Sequence, residues 1–251
     1  MVRLNKLRQL EIKDHSSINL NLYIDSSEQK FIKIYKSPES LELVERNINF
    51  IKEKNCFNPN ILDIYYDEDG NFIGYSQDYI TNARTFLDGL SDSELSFEKK
   101  YKYICDIFES LKKLHSFGAH IGDIHSRNLI YDDEHAYIID FDDIRFSQED
   151  NLPLSEYYYI QYSSNYNYQE SSMFTDNIKA TISALSLLYG FDFEEIAIMH
   201  SISTLVSYLE LFISDDNLLN DIKEIFYNKD TIIYFDDVMK KYFASKLLIK
   251  D

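Results

Sequence analysis

Residues 122–143 read GDIHSRNLIYDDEHAYIIDFDD. Polar residues gather at both ends: Asp123 and Asn128 stand near the start, and Asp140, Asp142 and Asp143 close the stretch. Between them, NLIY and HAYIID flank the turn DDEH, the pattern of two short β-strands. A hairpin folds the chain back on itself, so this one is expected to bring Asn128 and Asp140 to adjacent ends of one strand pair. Carboxylate and amide oxygens are hard donors of the kind Mg²⁺ takes. The rest of the sequence decides between a solvated acidic loop and a site that holds a metal, and Asp142 and Asp143 fit either reading.

Toward the N-terminus, SINLNLYI (17–24) alternates Ile18, Leu20, Leu22 and Ile24 with Asn19, Asn21 and Tyr23. After DSSEQ, KFIKIYK (30–36) alternates again, which predicts a hairpin with Phe31, Lys33 and Tyr35 on one face. SPESLELVERNINFIKEKN (37–55) changes to helical spacing. Ser37 is a candidate N-cap, Pro38 suits the first helical position, Glu39 complements the helix dipole, and Leu41, Val44, Ile48 and Ile51 form the apolar stripe. Two more strands around the turn DEDG follow, so the first 80 residues read as antiparallel sheet with one helix.

Toward the C-terminus the chain turns helical from about Ser96. Tyr101, Ile104, Phe108, Leu111 and Leu114 make one face, and Gly118 is a candidate C-terminal cap. Another, strongly apolar helix begins near Asp176, and two or three more are expected after it. The tyrosine-rich SEYYYIQYSSNYNY (155–168) has no assignable period. The expected fold class is α+β, with a β-rich lobe over 1–80 and a helical lobe over 81–251 forming a single domain.

Bulk properties narrow the function. The 251 residues are 45% hydrophobic, enough for a sizeable core, and the net charge is −18 without any Lys/Arg block. Such a surface repels phosphate backbones and anionic lipids, so neither nucleic acid nor membrane is an expected partner. MVRLNKLRQLEIKDHSS lacks a signal peptide's apolar run, and no stretch approaches the ~18 apolar residues of a membrane span, which predicts a cytoplasmic protein. Cys56 and Cys105 are widely separated and read as core thiols. His125 reads as a turn cap, and His15, His115, His120, His135 and His200 as structural or surface residues.

GDIHSRN resembles the first metal motif of the calcineurin-like phosphoesterases. That family needs further Gly-Asp and Gly-Asn-His motifs downstream, and only Gly190 lies beyond Gly122. The spacing Asp-x-x-x-x-Asn from Asp123 to Asn128, followed by the strand pair and Asp140-Phe141-Asp142, instead resembles the protein-kinase-like superfamily. The resemblance implies a two-lobed protein-kinase-like fold and transfer of the γ-phosphate of ATP to a hydroxyl, with Mg²⁺ as the second cofactor. Asp123 would be catalytic, accepting or orienting the hydroxyl proton, while Asn128 and Asp140 would hold the metal. Lys33 would meet the α- and β-phosphates with Glu45 as its ion-pair partner, Glu42 being the alternative. Backbone groups of Asp78, Tyr79 and Ile80 would meet the adenine. Asp176 resembles the aspartate that opens a central helix and supports the catalytic loop from beneath.

The chain departs from the family pattern at four places. No glycine precedes Lys33, Ile121-Gly122 replace the usual His-Arg pair, Asp142 stands where glycine is usual, and YSSN (162–165) lies at about the place of Ala-Pro-Glu. GDIHSRN and IDFDD look most like the aminoglycoside and choline kinase branch, whereas the long segment before Asp176 looks like a protein kinase. An atypical protein kinase acting on Ser/Thr is the leading expectation. A small-molecule kinase and a catalytically inactive pseudokinase scaffold are the alternatives. The expected partners are therefore a nucleotide and a protein or small-molecule hydroxyl acceptor.

Overall fold

The computed structural model describes residues 8–10, 20–36, 41–55, 57, 59–146 and 172–247. Ser37, Pro38, Glu39, His15, Cys56, residues 17–19 and the tyrosine-rich segment with YSSN lie outside them. The chain is α+β and divides into two compact units, Met1–Asn82 with Asp140–Asp143, and Ala83–Ile139 with Ile144–Asp251.

The first unit is built on an antiparallel sheet of β1 (Arg8–Leu10), β2 (Leu20–Asp25), β3 (Lys30–Tyr35), β4 (Ile61–Tyr66) and β5 (Phe72–Asp78), in the order β1-β2-β3-β5-β4. The alternating runs form the expected hairpin, β2 against β3, with Asp25 Oδ1 closing its turn by accepting from the Ser27 and Glu28 amides. DEDG turns β4 into β5, where Asp67 accepts from the Asn71 amide and Gly70 takes φ +84°. β1 has no counterpart in the sequence expectation, since three residues are too few to display a period. Lys33 pairs directly with Tyr75 across β3 and β5. The two backbones approach closely there: a Cβ on Gly74 would lie 2.0 Å from the Lys33 carbonyl oxygen.

Helix α1 (Glu42–Lys54) ends at Asn55 in the left-handed conformation and buries Asn47, Ile48 and Ile51. Ile48 and Ile51 are the expected inward stripe. Asn47 is the polar exception, and its amide has a specific partner described below.

In the second unit β6 (Arg84–Thr85) leads into the one-turn α2 (Phe86–Gly89), and α3 (Phe97–Ser116) follows, capped by Ser96 as its position suggests. β7 (Ala119–His120) pairs with β10 (Arg145–Phe146), while β8 (Leu129–Tyr131) and β9 (Ala136–Ile138) form the hairpin read from NLIYDDEHAYIID. α4 (Met173–Tyr189) opens with a Ser172–Thr175 capping box, closes at Gly190, and is buried around nearly its whole circumference. Each fully buried Leu or Ile in such a helix contributes about 1.5–3 kcal/mol, which makes α4 the fixed part of this unit. Among the described residues four helices follow it, where two or three were expected: α5 (Phe193–Met199), α6 (Ile202–Phe212), α7 (Asp216–Tyr227) and α8 (Phe235–Leu247). Side-chain caps at Asp192, Ser201 and Asp215 cut an almost continuously helical sequence into these short pieces. No helix among the described residues is long and apolar enough to cross a membrane.

Candidate functional site

In the first unit the chemistry centres on Lys33, whose residue is only 6% exposed. Its ammonium lies 2.8 Å from Asp140 Oδ1 and 2.9 Å from Asp142 Oδ2. Burial works against the charge, yet the two carboxylates together hold the Lys33 pKa well above its ordinary value. Asp142 also accepts from the Tyr35 and Tyr75 hydroxyls, the latter at 3.2 Å, and its carbonyl accepts from Asn47 Nδ2 at 2.8 Å. Burial pushes the Asp142 carboxyl upward, and Asp140 adds to the effect while Lys33 pulls it back. Burial likewise raises both phenols, so they remain protonated donors at neutral pH.

The 140–143 turn is pinned from below. Phe141 is fully buried and stacks on Phe57 with ring centroids 4.7 Å apart, a contact worth about 0.5–1.5 kcal/mol beyond its buried area. Asp140 itself has φ +68°, a left-handed conformation that Asp tolerates better than most residues but that still carries strain. Residues held this way concentrate at functional sites.

The expected Lys33–Glu45 pair does not form. Glu45 Oε1 accepts from Tyr66 OH at 2.8 Å, and Glu42 is exposed. The reason is helical phase: residues two apart on a helix point about 200° away from each other. Asn47 faces Asp142, so Glu45 faces elsewhere, toward the end of β4. At the end of β5, the Asp78 amide is committed to the Asn60 carbonyl and the Tyr79 amide to that of Gln29. The Ile80 N–H has no acceptor among the described residues.

In the second unit, residues 121–126 form a loop held by three charged side chains. Asp176, completely buried, accepts from the Ile121 amide at 2.5 Å and the Gly122 amide at 2.9 Å. Burial opposes its charge, but His115, His120 and the Ile121 amide hold its carboxyl below the usual carboxylate range. His115 is in turn fixed by Tyr234, 2.8 Å from its Nδ1. Lys179 donates to the Gly122 carbonyl at 2.7 Å. Glu194 accepts from the Ser126 amide at 2.8 Å, from Ser126 Oγ at 2.6 Å and from Ser183 Oγ. Asp176, Lys179 and Ser183 follow i, i+3, i+7 spacing, so one face of α4 supplies most of the support.

Within this loop Asn128 Nδ2 donates to the Asp123 carbonyl at 3.1 Å and approaches Asp123 Oδ2 at 3.5 Å. Asp123 Oδ1 is buried with no donor among the described residues. A carboxylate oxygen in that condition is costly. His125 caps the turn, as expected: its Nδ1 accepts from the Arg127 amide and its carbonyl from that of Asn128, while its Nε2 lies 3.8 Å from Asp123 Oδ2. The Ile139 amide donates to the Asn128 carbonyl, which ties the residue before Asp140 to the same loop. An open cleft of about 250 Å³ lies alongside, lined by Leu87, Ser126, Arg127, Glu194, Ile198 and Met199.

Among the described residues no group of three or more His, Cys, Asp or Glu is arranged to hold a metal ion. Asn128, in the second unit, carries an amide oxygen and Asp140, in the first, a carboxylate, each a hard donor of the kind Mg²⁺ takes. Tyr35, Tyr75, Asn47, Lys179 and Glu194 were not singled out from the sequence. Tyr35 alone carried a signal, being two residues from Lys33 on the same strand face. No protein-family model matches this chain, and no curated protein matches it either.

Proposed function

We propose that this chain is an ATP- and Mg²⁺-dependent phosphotransferase with a protein-kinase-like fold, transferring the γ-phosphate of ATP to a hydroxyl on a protein serine or threonine. The observation that carries the reading is the Lys33–Asp140 pair. These residues lie 107 positions apart in the sequence, yet they meet at 2.8 Å on a buried lysine and a left-handed aspartate. They are also the two residues whose assigned tasks, phosphate binding and metal binding, require proximity.

Each role follows from the side chain's surroundings. Lys33, kept charged, offsets the charge of the α- and β-phosphates, and without a glycine-rich turn before it this lysine carries more of the clamp than usual. Asn128 and Asp140 would hold Mg²⁺, which when bound supplies charge neutralisation on the transferring phosphate. Asp123 would receive the acceptor hydroxyl through the exposed part of its side chain, which is 25% exposed. Asp176, Lys179 and Glu194 fix the loop that carries Asp123. With the Asp78 and Tyr79 amides already spent, the adenine contacts fall to the Ile80 amide and the nearby carbonyls.

The test is thermal unfolding with ATP or ADP, with and without Mg²⁺, on the wild type and Asp140→Asn. A ligand at 100 times its Kd adds about 2.7 kcal/mol of stability, so binding must raise the melting temperature. The expected result is a Mg²⁺-dependent rise that Asp140→Asn abolishes. No rise at millimolar nucleotide overturns the reading.

A second reading, a small-molecule acceptor, is favoured by the cleft beside the Asp123 loop and by the four helices that follow α4. Radiolabel from γ-labelled ATP separates the two: label on protein supports the first reading, and label in the low-molecular-mass fraction supports the second.

A further inference from the structure

Asp142 stands where the family has glycine, and its surroundings give it a task. Four groups converge on it. Lys33 and Tyr35 meet Oδ2, Tyr75 meets Oδ1, and Asn47 meets its carbonyl. Three of these residues are positioned by the sheet: Lys33 and Tyr35 are two apart on β3, and Tyr75 is the direct partner of Lys33 on β5. Asp140, the other carboxylate on Lys33, has a side chain 40% exposed, whereas that of Asp142 is 21% exposed. Glu45, the residue expected to hold the lysine, is turned to Tyr66.

We infer that Asp142 is the positioning residue of Lys33, replacing the carboxylate that α1 was expected to supply. The inference rests on the proposed phosphotransferase function. Once Asp140 is engaged by a metal, Asp142 keeps the lysine aimed, because two tyrosine hydroxyls hold its carboxylate in place. The holder of the lysine and a metal-binding residue therefore belong to one four-residue segment, Asp140–Asp143. Glu45 becomes dispensable for nucleotide binding, so the alignment of Lys33 does not depend on a charged residue of α1. Asn47 contributes by gripping the Asp142 carbonyl, and its burial on α1 follows from that contact.

The test compares Asp142→Asn with Glu45→Gln by two readouts. Without nucleotide, Lys33 modification by an amine-acylating reagent at one fixed pH is measured by mass spectrometry. Asp142→Asn should raise its rate several-fold, and Glu45→Gln should leave it unchanged. With Mg²⁺ and ADP, thermal shifts give the affinity: a loss of tenfold or more is expected in Asp142→Asn and less than twofold in Glu45→Gln. Tyr35→Phe, a smaller change should Asp142→Asn fold poorly, should weaken ADP binding a few-fold while Tyr66→Phe does not. If Glu45→Gln loses affinity and Asp142→Asn keeps it, the inference is overturned while the proposed function stands. If the wild type shows no nucleotide shift, the proposed function falls, and the labelling result alone decides the ion pair: an unchanged Lys33 rate in Asp142→Asn removes that too.

Discussion

Replacing Asp176 with Asn keeps the shape of the side chain and removes its charge. In the wild type each carboxylate oxygen takes a backbone N–H, from Ile121 at 2.5 Å and Gly122 at 2.9 Å, in a completely buried position. Hydrogen bonds to a charged acceptor are worth about 1.5–3 kcal/mol each. Asn retains one acceptor and sets its NH₂ against the other amide, so one bond is lost, one weakened and one buried N–H left unsatisfied. The expected cost is about 3–5 kcal/mol, in the range for breaking a buried charged network. For a chain of this size each kcal/mol lowers Tm by about 2–4 °C, which predicts a fall of roughly 6–20 °C by calorimetry at pH 7. The pH dependence gives an independent check. Asp176 has its carboxyl depressed in the folded chain, so its contribution is full above the unfolded value of about 3.9 and is lost as pH falls toward the folded value. The gap between wild type and Asp176→Asn should therefore be constant from pH 7 to about 5 and narrow below about 4. A Tm within about 2 °C of wild type at pH 7, or a gap that widens in acid, refutes the reasoning.

Lys33→Met should lose the nucleotide-induced thermal shift and be destabilised by about 3–5 kcal/mol, because Asp140 and Asp142 then face each other without a cation; its deficit relative to wild type should shrink as pH falls and a carboxyl protonates. Gly74→Ala forces a Cβ to 2.0 Å from the Lys33 carbonyl, so β3 and β5 must separate there, and circular dichroism melts should show a large loss of stability along with loss of nucleotide binding. Glu194→Gln weakens three hydrogen bonds to Ser126 and Ser183 and should cost about 1–3 kcal/mol, with turnover falling more than ATP affinity because the Asp123 loop loses its anchor. Asp123→Ala should retain the Mg²⁺-nucleotide shift and lose phosphate transfer, and transfer at the wild-type rate would refute its role.

Period-two and period-3.6 patterns in the sequence lead to β2 through β5, α1, α3, the β8–β9 hairpin and α4, because each is long enough, or bounded sharply enough by turn residues, to display its period. The two-residue strands β6, β7 and β10 and the one-turn α2 are too short to do so. They are fixed by tertiary contacts instead, as in the pairing of Arg145 with His120. The candidate site was legible where side-chain chemistry and order along the chain coincide, at Lys33, Asp123, Asn128, Asp140 and Asp176. It was not legible where a choice between carboxylates depends on rotation. Glu45 and Asn47 both lie near the inward stripe of α1, and only the orientation of the helix over the sheet decides which of them meets the 140–143 turn. Asp142 read equally well as a solvated loop residue because nothing local announces that Tyr35 and Tyr75 converge on it.

The two candidate clusters reach positional accuracy by the same physical route, although one is built on a sheet and the other on helices. Asp140 and Asp123 both sit in irregular backbone, which by itself permits many conformations and costs about 1–2 kcal/mol per residue to fix. In the first unit that cost is offset by Phe141 stacking on Phe57 and by the donors gathered on Asp142, all from strands, α1 or residues that flank them. In the second it is offset by Asp176, Lys179 and Glu194, two of them from α4, whose burial on nearly every side leaves it no freedom to shift. The acidic and basic side chains that look most like functional candidates in the sequence therefore fall into two groups. Asp123 keeps part of its side chain open to a substrate and takes few protein donors, whereas Asp142 and Asp176 are saturated with protein donors, which suits them to holding others in place.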